Sequence, residues 1–318
     1  MTSPLPANSQ TAGLRDYLAL ARVDHWIKNI FMAPGIVVAF VIAGTPAAGV
    51  ATRIILGVLS TCLVASANYV INEWLDRDFD RHHPLKKVRP AVVADMRGAF
   101  VALEYGLLVA AGVLVAAAVS RPFAAISLLL LLMGIVYNVA PFRTKDRPYL
   151  DVLSESINSP LRFLLGWFTV VSGAMPPSSV LLAYWMGGAF LMAVKRFSEF
   201  RYIADPVLAG RYRRSFRFYT EDTLLISSFF YALCAVFFLG IFLIKYRIEL
   251  VVSFPFFSLL FAWYLAIGLR PYSATQAPEK LYEEPLFLAY VGFLVSFVAV
   301  LLFVDMPWLG ILVRRLSY

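Results

Sequence analysis

The stretch NEWLDRDFDRHHPLKKVRP, residues 72–90, follows directly on an apolar run and holds four acidic residues and seven that are Lys, Arg or His. Asn72, Asp76 and Asp80 recur at i, i+4 and i+8, a spacing that stacks side chains on one face of a helix. The preceding run, from about residue 53, is long and apolar enough for a membrane helix, which needs about 20 such residues. The stretch therefore reads as the place where a membrane helix leaves the hydrocarbon.

The rest of the chain agrees with that reading. Of 318 residues, 60% are hydrophobic, against about 45–50% in soluble domains, and the mean hydropathy is +0.74. Nine spans are expected, near 26–44, 53–75, 99–118, 122–140, 150–173, 179–199, 222–244, 248–268 and 286–305. The fold class is all-α, a polytopic membrane protein; the strand alternation of a membrane barrel is missing. The two cysteines, Cys62 and Cys234, lie in apolar runs and read as small buried hydrophobes with no disulfide framework. The polar start lacks a charged segment followed by an apolar one, so no cleaved signal peptide is expected. Residues 1–25 are assigned to a cytoplasmic N-terminus, 26–306 to the membrane domain and 307–318 to a C-terminal tail. Within the first segment Leu14, Leu18 and Ala21 share a face, with Arg15 and Arg22 nearby, as in a helix lying in the membrane interface.

Basic residues set the orientation. The N-terminus and the loops after spans two, four, six and eight hold most of the Lys and Arg, while the other side has Arg53, Arg121, Lys245, Arg247, Arg314 and Arg315. The rich side is assigned to the cytoplasm of a cell inner (plasma) membrane, with the C-terminus outside. The formal charge of +8 thus belongs almost wholly to one face, where it sets topology and meets anionic headgroups; no nucleic-acid partner is implied. A homo-oligomer is compatible with these spans.

Topology does not account for acidic residues interleaved at fixed spacing. Three oxygen-bearing side chains in a row suit Mg2+, a hard cation that shares phosphate oxygens. A solvated helix end pairing its carboxylates with Arg77 and Arg81 would give the same pattern. Glu73 and Asp78 point elsewhere on the helix, and His82 and His83 lack a partner at metal-ligand spacing, so these four read as bystanders. In span five Asp151 and Glu155 share a face. Ionisable groups inside a span are rare and usually functional, although a buried structural grouping with Arg162 is the plain alternative.

The motif Asn72-Glu73-x-x-Asp76-x-x-x-Asp80 resembles the first Asp-rich motif, NDxxDxxxD, of the UbiA superfamily of intramembrane prenyltransferases, with Glu in place of the second residue. RVDHWIKNIFMAPG (22–35), DRHHPLKKVRP (80–90), AVKRFSEF (193–200), RRSFRFYTEDTL (213–224) and LDVLSESINSPLRFLLGW (150–167) are similar to segments of one branch, the decaprenyl-phosphate phosphoribosyltransferases. The departures are Val-Asp-His-Trp where that branch has Arg-Pro-x-Gln-Trp, the segment APFRTKDRPY before helix five, and the added Ser154, Glu155 and Asn158.

The resemblance implies a nine-helix UbiA-type bundle with a cytoplasmic-facing active site and Mg2+ as cofactor. Asn72, Asp76 and Asp80 would bind Mg2+–pyrophosphate, and a second acidic site would come from Glu199 or from Asp151, with Glu155 beside it. Lys28, Asn29, Lys86, Lys87, Arg89, Lys195 and Arg196 are the expected phosphate contacts. Asn158 and Arg162 would read ribose hydroxyls or a phosphate, and Tyr137 and Tyr219 complete the substrate contacts. Most of the arginines at 211–217 read as surface charge. The activity implied is transfer of a 5-phosphoribosyl group from phosphoribosyl pyrophosphate to a polyprenyl phosphate, for cell-envelope glycan precursors. An aromatic prenyltransferase with a polyprenyl pyrophosphate donor is the alternative. A transporter fits less well, because transporter sites lie near the midplane and these acidic residues lie at helix ends.

Overall fold

The computed structural model describes residues 10–44, 48–276 and 278–313. Residues 1–9 of the expected N-terminal segment and 314–318 of the expected tail, with Arg314 and Arg315, lie outside the described residues.

In chain order the helices are α1 (Leu14–Leu20), α2 (Ala33–Ala43), α3 (Val50–Asp80), α4 (Pro90–Val93), α5 (Gly98–Val119), α6 (Arg121–Asn138), α7 (Leu150–Ser156), α8 (Asn158–Val170), α9 (Ser178–Ile203), α10 (Pro206–Tyr212), α11 (Glu221–Tyr246), α12 (Phe254–Gly268) and α13 (Pro285–Leu301). A 3-10 segment, Val23–Met32, leads into α2, and residues 10–11 pair in parallel with 94–95. The chain divides into two compact units, Met1–Ala174 with Ile203–Thr220, and Met175–Tyr202 with Glu221–Tyr318.

In the first unit α3 packs along α5, α6 and α8, and α2 packs on α8. With 31 residues α3 is roughly 46 Å long. That exceeds the roughly 30 Å hydrocarbon core, so its last turns, from about Asn72, project beyond the apolar layer. Leu20, Val70, Ala91, Ala94, Met96 and Val101 form a core under that projecting end, fixing α1 and the 81–97 segment against it. Leu14 and Leu18 remain exposed while Ala21 is buried, so the apolar face expected of α1 divides between surface and core.

The α2–α8 contact is a backbone-to-backbone crossing. A Cβ on Gly35 would lie 2.0 Å from the Phe163 carbonyl oxygen, and one on Gly166 would lie 2.0 Å from that of Met32. Small residues permit this kind of approach between membrane helices.

Span five is not one helix. It breaks at Ile157 between α7 and α8, because Pro160 has no N–H to donate to the carbonyl four residues back and its ring crowds it. In the second unit α12 contacts α11 and α13, and Phe190 packs its ring against Phe261 and Tyr264.

Among the described residues seven segments are long and apolar enough to cross a membrane: 14–42, 50–80, 98–119, 121–138, 178–203, 221–246 and 248–268; α13 is shorter but apolar.

Candidate active site

The projecting end of α3 forms one wall of a cleft lined by Asp76, Phe79, Asp80, Arg143, Lys145, Asp146, Tyr212 and Arg213. Asp76 and Asp80 share it because they lie one helical turn apart. The facing wall is the 139–149 loop between α6 and α7. Arg143 takes a left-handed backbone conformation (φ 31°), which L-residues seldom adopt, and its guanidinium reaches Asp76 Oδ1 at 2.9 Å and Asp146 at 3.1 Å. Lys145 Nζ lies 2.5 Å from the same Asp76 oxygen. Burial pushes the Lys145 ammonium down to about 8, against the pull of Asp76. Phe79 offers its ring to two guanidiniums, Arg143 at 4.9 Å and Arg214 at 5.4 Å.

An amide pair supports the cleft from below. Asn72 Nδ2 donates to Asp76 Oδ2 at 3.2 Å and to Asn138 Oδ1 at 2.6 Å, and Lys145 donates to the same Asn138 oxygen at 2.7 Å. Asn138 therefore ties the acidic helix end to the basic loop. Asp80 is held by Arg89 at 2.6 Å.

The third side comes from residues 203–220. Asp205 caps α10 by accepting from Val207 and Leu208. Beyond α10, Arg213 donates to the Tyr137 hydroxyl at 3.3 Å and lies 4.0 Å from Asp151. Asp151 is fully buried and accepts from Ser215 at 3.0 Å and from the Tyr219 hydroxyl at 2.7 Å. The Tyr219 hydroxyl also accepts the backbone N–H of Tyr149, a second left-handed residue (φ 64°). Asp151 and Tyr219 thus anchor the Arg-rich loop and the start of α7 together.

The expected site residues fall into four places. Asn72, Asp76, Asp80, Arg89 and Tyr137 line or support the cleft. Lys86 donates to the Tyr212 hydroxyl beside it, while Lys87 is exposed and Glu155 half-buried. Asn29, Asn158 and Arg162 meet deeper in the first unit, where Arg162 Nε donates to Asn29 Oδ1 at 3.0 Å; Lys28 Nζ is 2.9 Å from His25 Nδ1. Lys195, Arg196 and Glu199 belong to α9 in the second unit, where Arg196 and Glu199 pair at 2.9 Å in a buried setting.

Residues missed in the sequence are Arg143, Lys145, Asp146, Asn138 and Arg213. Charge within the short PFRTKD segment (141–146) after an apolar span was the available signal. Two residues read as bystanders are buried instead. Glu73 lies 3.9 Å from Arg22, and His83 Nδ1 accepts the backbone N–H groups of Leu85 and Lys86 at 3.1 and 3.2 Å, closing the turn after α3.

Among the described residues no three His, Cys, Asp or Glu side chains form a ready metal cage. Two carboxylates in one cleft, with phosphate oxygens to complete the shell, are nonetheless a usual way to hold Mg2+, so the donor set fits that ion.

The model of the UbiA prenyltransferase family matches residues 31–291. Among curated relatives, a protoheme IX farnesyltransferase of Alkalihalophilus pseudofirmus is 29% identical over 64% of this chain and 66% of its own length. A decaprenyl-phosphate phosphoribosyltransferase of Mycolicibacterium smegmatis is 28% identical over 69% of this chain and 66% of its own. The chain thus spans just under two thirds of the length of these relatives. Among solved structures, a UbiA homolog from Archaeoglobus fulgidus bound to GPP and Mg2+ superposes with a TM-score of 0.68 at 22% identity, covering 91% of this chain and all of that one. With a family match over most of its length and several helices able to cross a bilayer, this integral membrane protein belongs to the UbiA prenyltransferase family.

Proposed function

We propose that the chain transfers a 5-phosphoribosyl group from phosphoribosyl pyrophosphate to a polyprenyl phosphate, releasing pyrophosphate. The observation that carries this is the cleft in which Asp76 and Asp80 face Arg143, Lys145 and Arg213. In the reaction a phosphate oxygen of the lipid bonds to C1 of the ribose, and the C1–O bond to pyrophosphate breaks with its electron pair leaving on oxygen. Negative charge grows on the leaving group, and fixed cations aimed at it lower the barrier. Lys145, Arg143 and Arg213 supply those cations. Asp76 and Asp80 hold Mg2+, which when bound stabilises the same leaving charge.

Asp151 keeps the Arg-rich loop in place through Ser215 and Tyr219. Nine crossings follow if the broken α7–α8 pair and the short α13 also span. The cleft then faces the cytoplasm of the plasma membrane, where the soluble donor arrives.

The phosphoribosyl reading is supported by the similar segments at 22–35 and 193–200 and by the phosphoribosyltransferase among the relatives. A prenyltransferase using a polyprenyl pyrophosphate is supported by the farnesyltransferase. Purified protein with Mg2+, labelled phosphoribosyl pyrophosphate and polyprenyl phosphate is expected to yield labelled lipid. No labelled lipid there, with product only from prenyl pyrophosphate and an aromatic acceptor, would replace the first reading by the second.

A further inference from the structure

The last turns of α11, in the second unit, carry an apolar groove. Val236, Gly240, Ile241 and Ile244 line it from α11. Val251, from the 3-10 segment Ile248–Ser253, and Phe254, at the start of α12, line it from the other side. The groove measures about 650 Å3, inside the roughly 300–1,000 Å3 range of small-molecule sites. Gly240 leaves the room: a Cβ there would meet only a Phe254 ring carbon within 4 Å, at 3.9 Å. Ile241 and Ile244 are exposed, so the groove opens sideways, where the acyl chains of a bilayer lie.

One cation stands at its end. Lys245 lines the groove and is exposed, with its ammonium 5.6 Å from the Tyr246 ring. Lys and Tyr at the end of a membrane helix sit at headgroup level. The neighbouring Arg247 is already taken, 2.8 Å from Asp305 and 3.7 Å from Glu249. Among the described residues no carboxylate pairs with Lys245. From Val236 to Lys245 the trough runs roughly 13 Å along the helix. Lipid tails are as apolar as its walls, so no hydrophobic force favours one chain over another. Shape fills the trough, and the ammonium selects the headgroup. A net negative headgroup is attracted to it, whereas the ammonium of a zwitterionic one offsets the phosphate.

We propose that this groove seats one chain of an anionic phospholipid whose phosphate meets Lys245. Full-length protein in phosphatidylcholine nanodiscs tests it. The discs carry a trace of phosphatidylglycerol or phosphatidylcholine with a photoreactive diazirine in the chain, and labelling of the 236–254 peptide is read by mass spectrometry. Phosphatidylglycerol is expected to label about fivefold more than phosphatidylcholine, the selectivity of one cation near the headgroups. Lys245→Gln is expected to abolish that preference and keep the phosphatidylcholine label. Gly240→Leu fills the trough and lowers labelling by both lipids; Val251→Phe fills it from the other side and serves if Gly240→Leu does not fold. Equal labelling of the wild type by the two lipids, an unlabelled peptide, a preference that survives Lys245→Gln, or labelling untouched by the filling variants overturns the site. Displacement of the label by a ten-carbon prenyl monophosphate gives the groove to a prenyl lipid and overturns the phospholipid.

Discussion

Gly166→Ala tests the packing that brings α8 against the first membrane segment. The added Cβ would lie 2.0 Å from the Met32 carbonyl oxygen and 2.9 Å from its carbonyl carbon, where Cβ contacts under 3.0 Å are essentially never seen. Both atoms are backbone, so no side chain can swing aside and the two segments must part by about an ångström. Overpacking of this kind costs roughly 1–3 kcal/mol. Gly35→Ala makes the mirror-image clash with the Phe163 carbonyl oxygen at 2.0 Å. Because both strain the same contact, the double variant is expected to lose less than the sum of the singles. Gly106→Ala is the control: nothing lies within 4 Å of its Cβ position in α5, and removing a mid-helix glycine is expected to be neutral or to add about 0.5–1 kcal/mol. Denaturant unfolding in nanodiscs reads all four. Gly166→Ala unfolding at the same denaturant concentration as Gly106→Ala would refute the close crossing and, with it, the placement of Arg162 one turn before Gly166.

Three further outcomes follow from the cleft. Asp76→Asn removes the anion that Lys145 and Arg143 share at 2.5 and 2.9 Å; kcat/KM is expected to fall on the order of 100-fold or more, read with saturating lipid acceptor. Tyr219→Phe leaves Asp151 and the left-handed Tyr149 N–H without the hydroxyl they share, and unfolding should show a loss of about 1–3 kcal/mol; an unchanged midpoint would show that the hydroxyl anchors nothing. Chelation with EDTA should abolish turnover and added Mg2+ restore it, whereas an EDTA-insensitive product would remove Mg2+ from the account.

The acidic face was legible because Asn72, Asp76 and Asp80 follow the helical period and α3 does continue to Asp80. What faces it was not. Arg143 and Lys145 reach Asp76 from a loop whose backbone includes a left-handed arginine, and no periodicity encodes that shape. Arg213 looked like surface charge because its partners, Tyr137 and Asp151, are more than sixty residues away in sequence. Arg162 was grouped with Asp151 and Glu155 by helical spacing, yet it bonds Asn29, 133 residues distant. The break before α8 is part of the reason, since Pro160 interrupts the helix that would have carried that spacing through. His83 looked like a bystander because its role lies in backbone amides two and three residues on, which side-chain spacing does not reveal.

On the proposed reaction, pyrophosphate leaves from the Asp76 cleft. Pyrophosphate release, measured against phosphoribosyl transfer to polyprenyl phosphate in the wild type and in Lys145→Met, tests it most directly. One pyrophosphate per lipid product is expected in the wild type and, with one fixed cation removed, a fall in kcat/KM on the order of 100-fold in folded Lys145→Met. Unchanged release and transfer in that variant would contradict it.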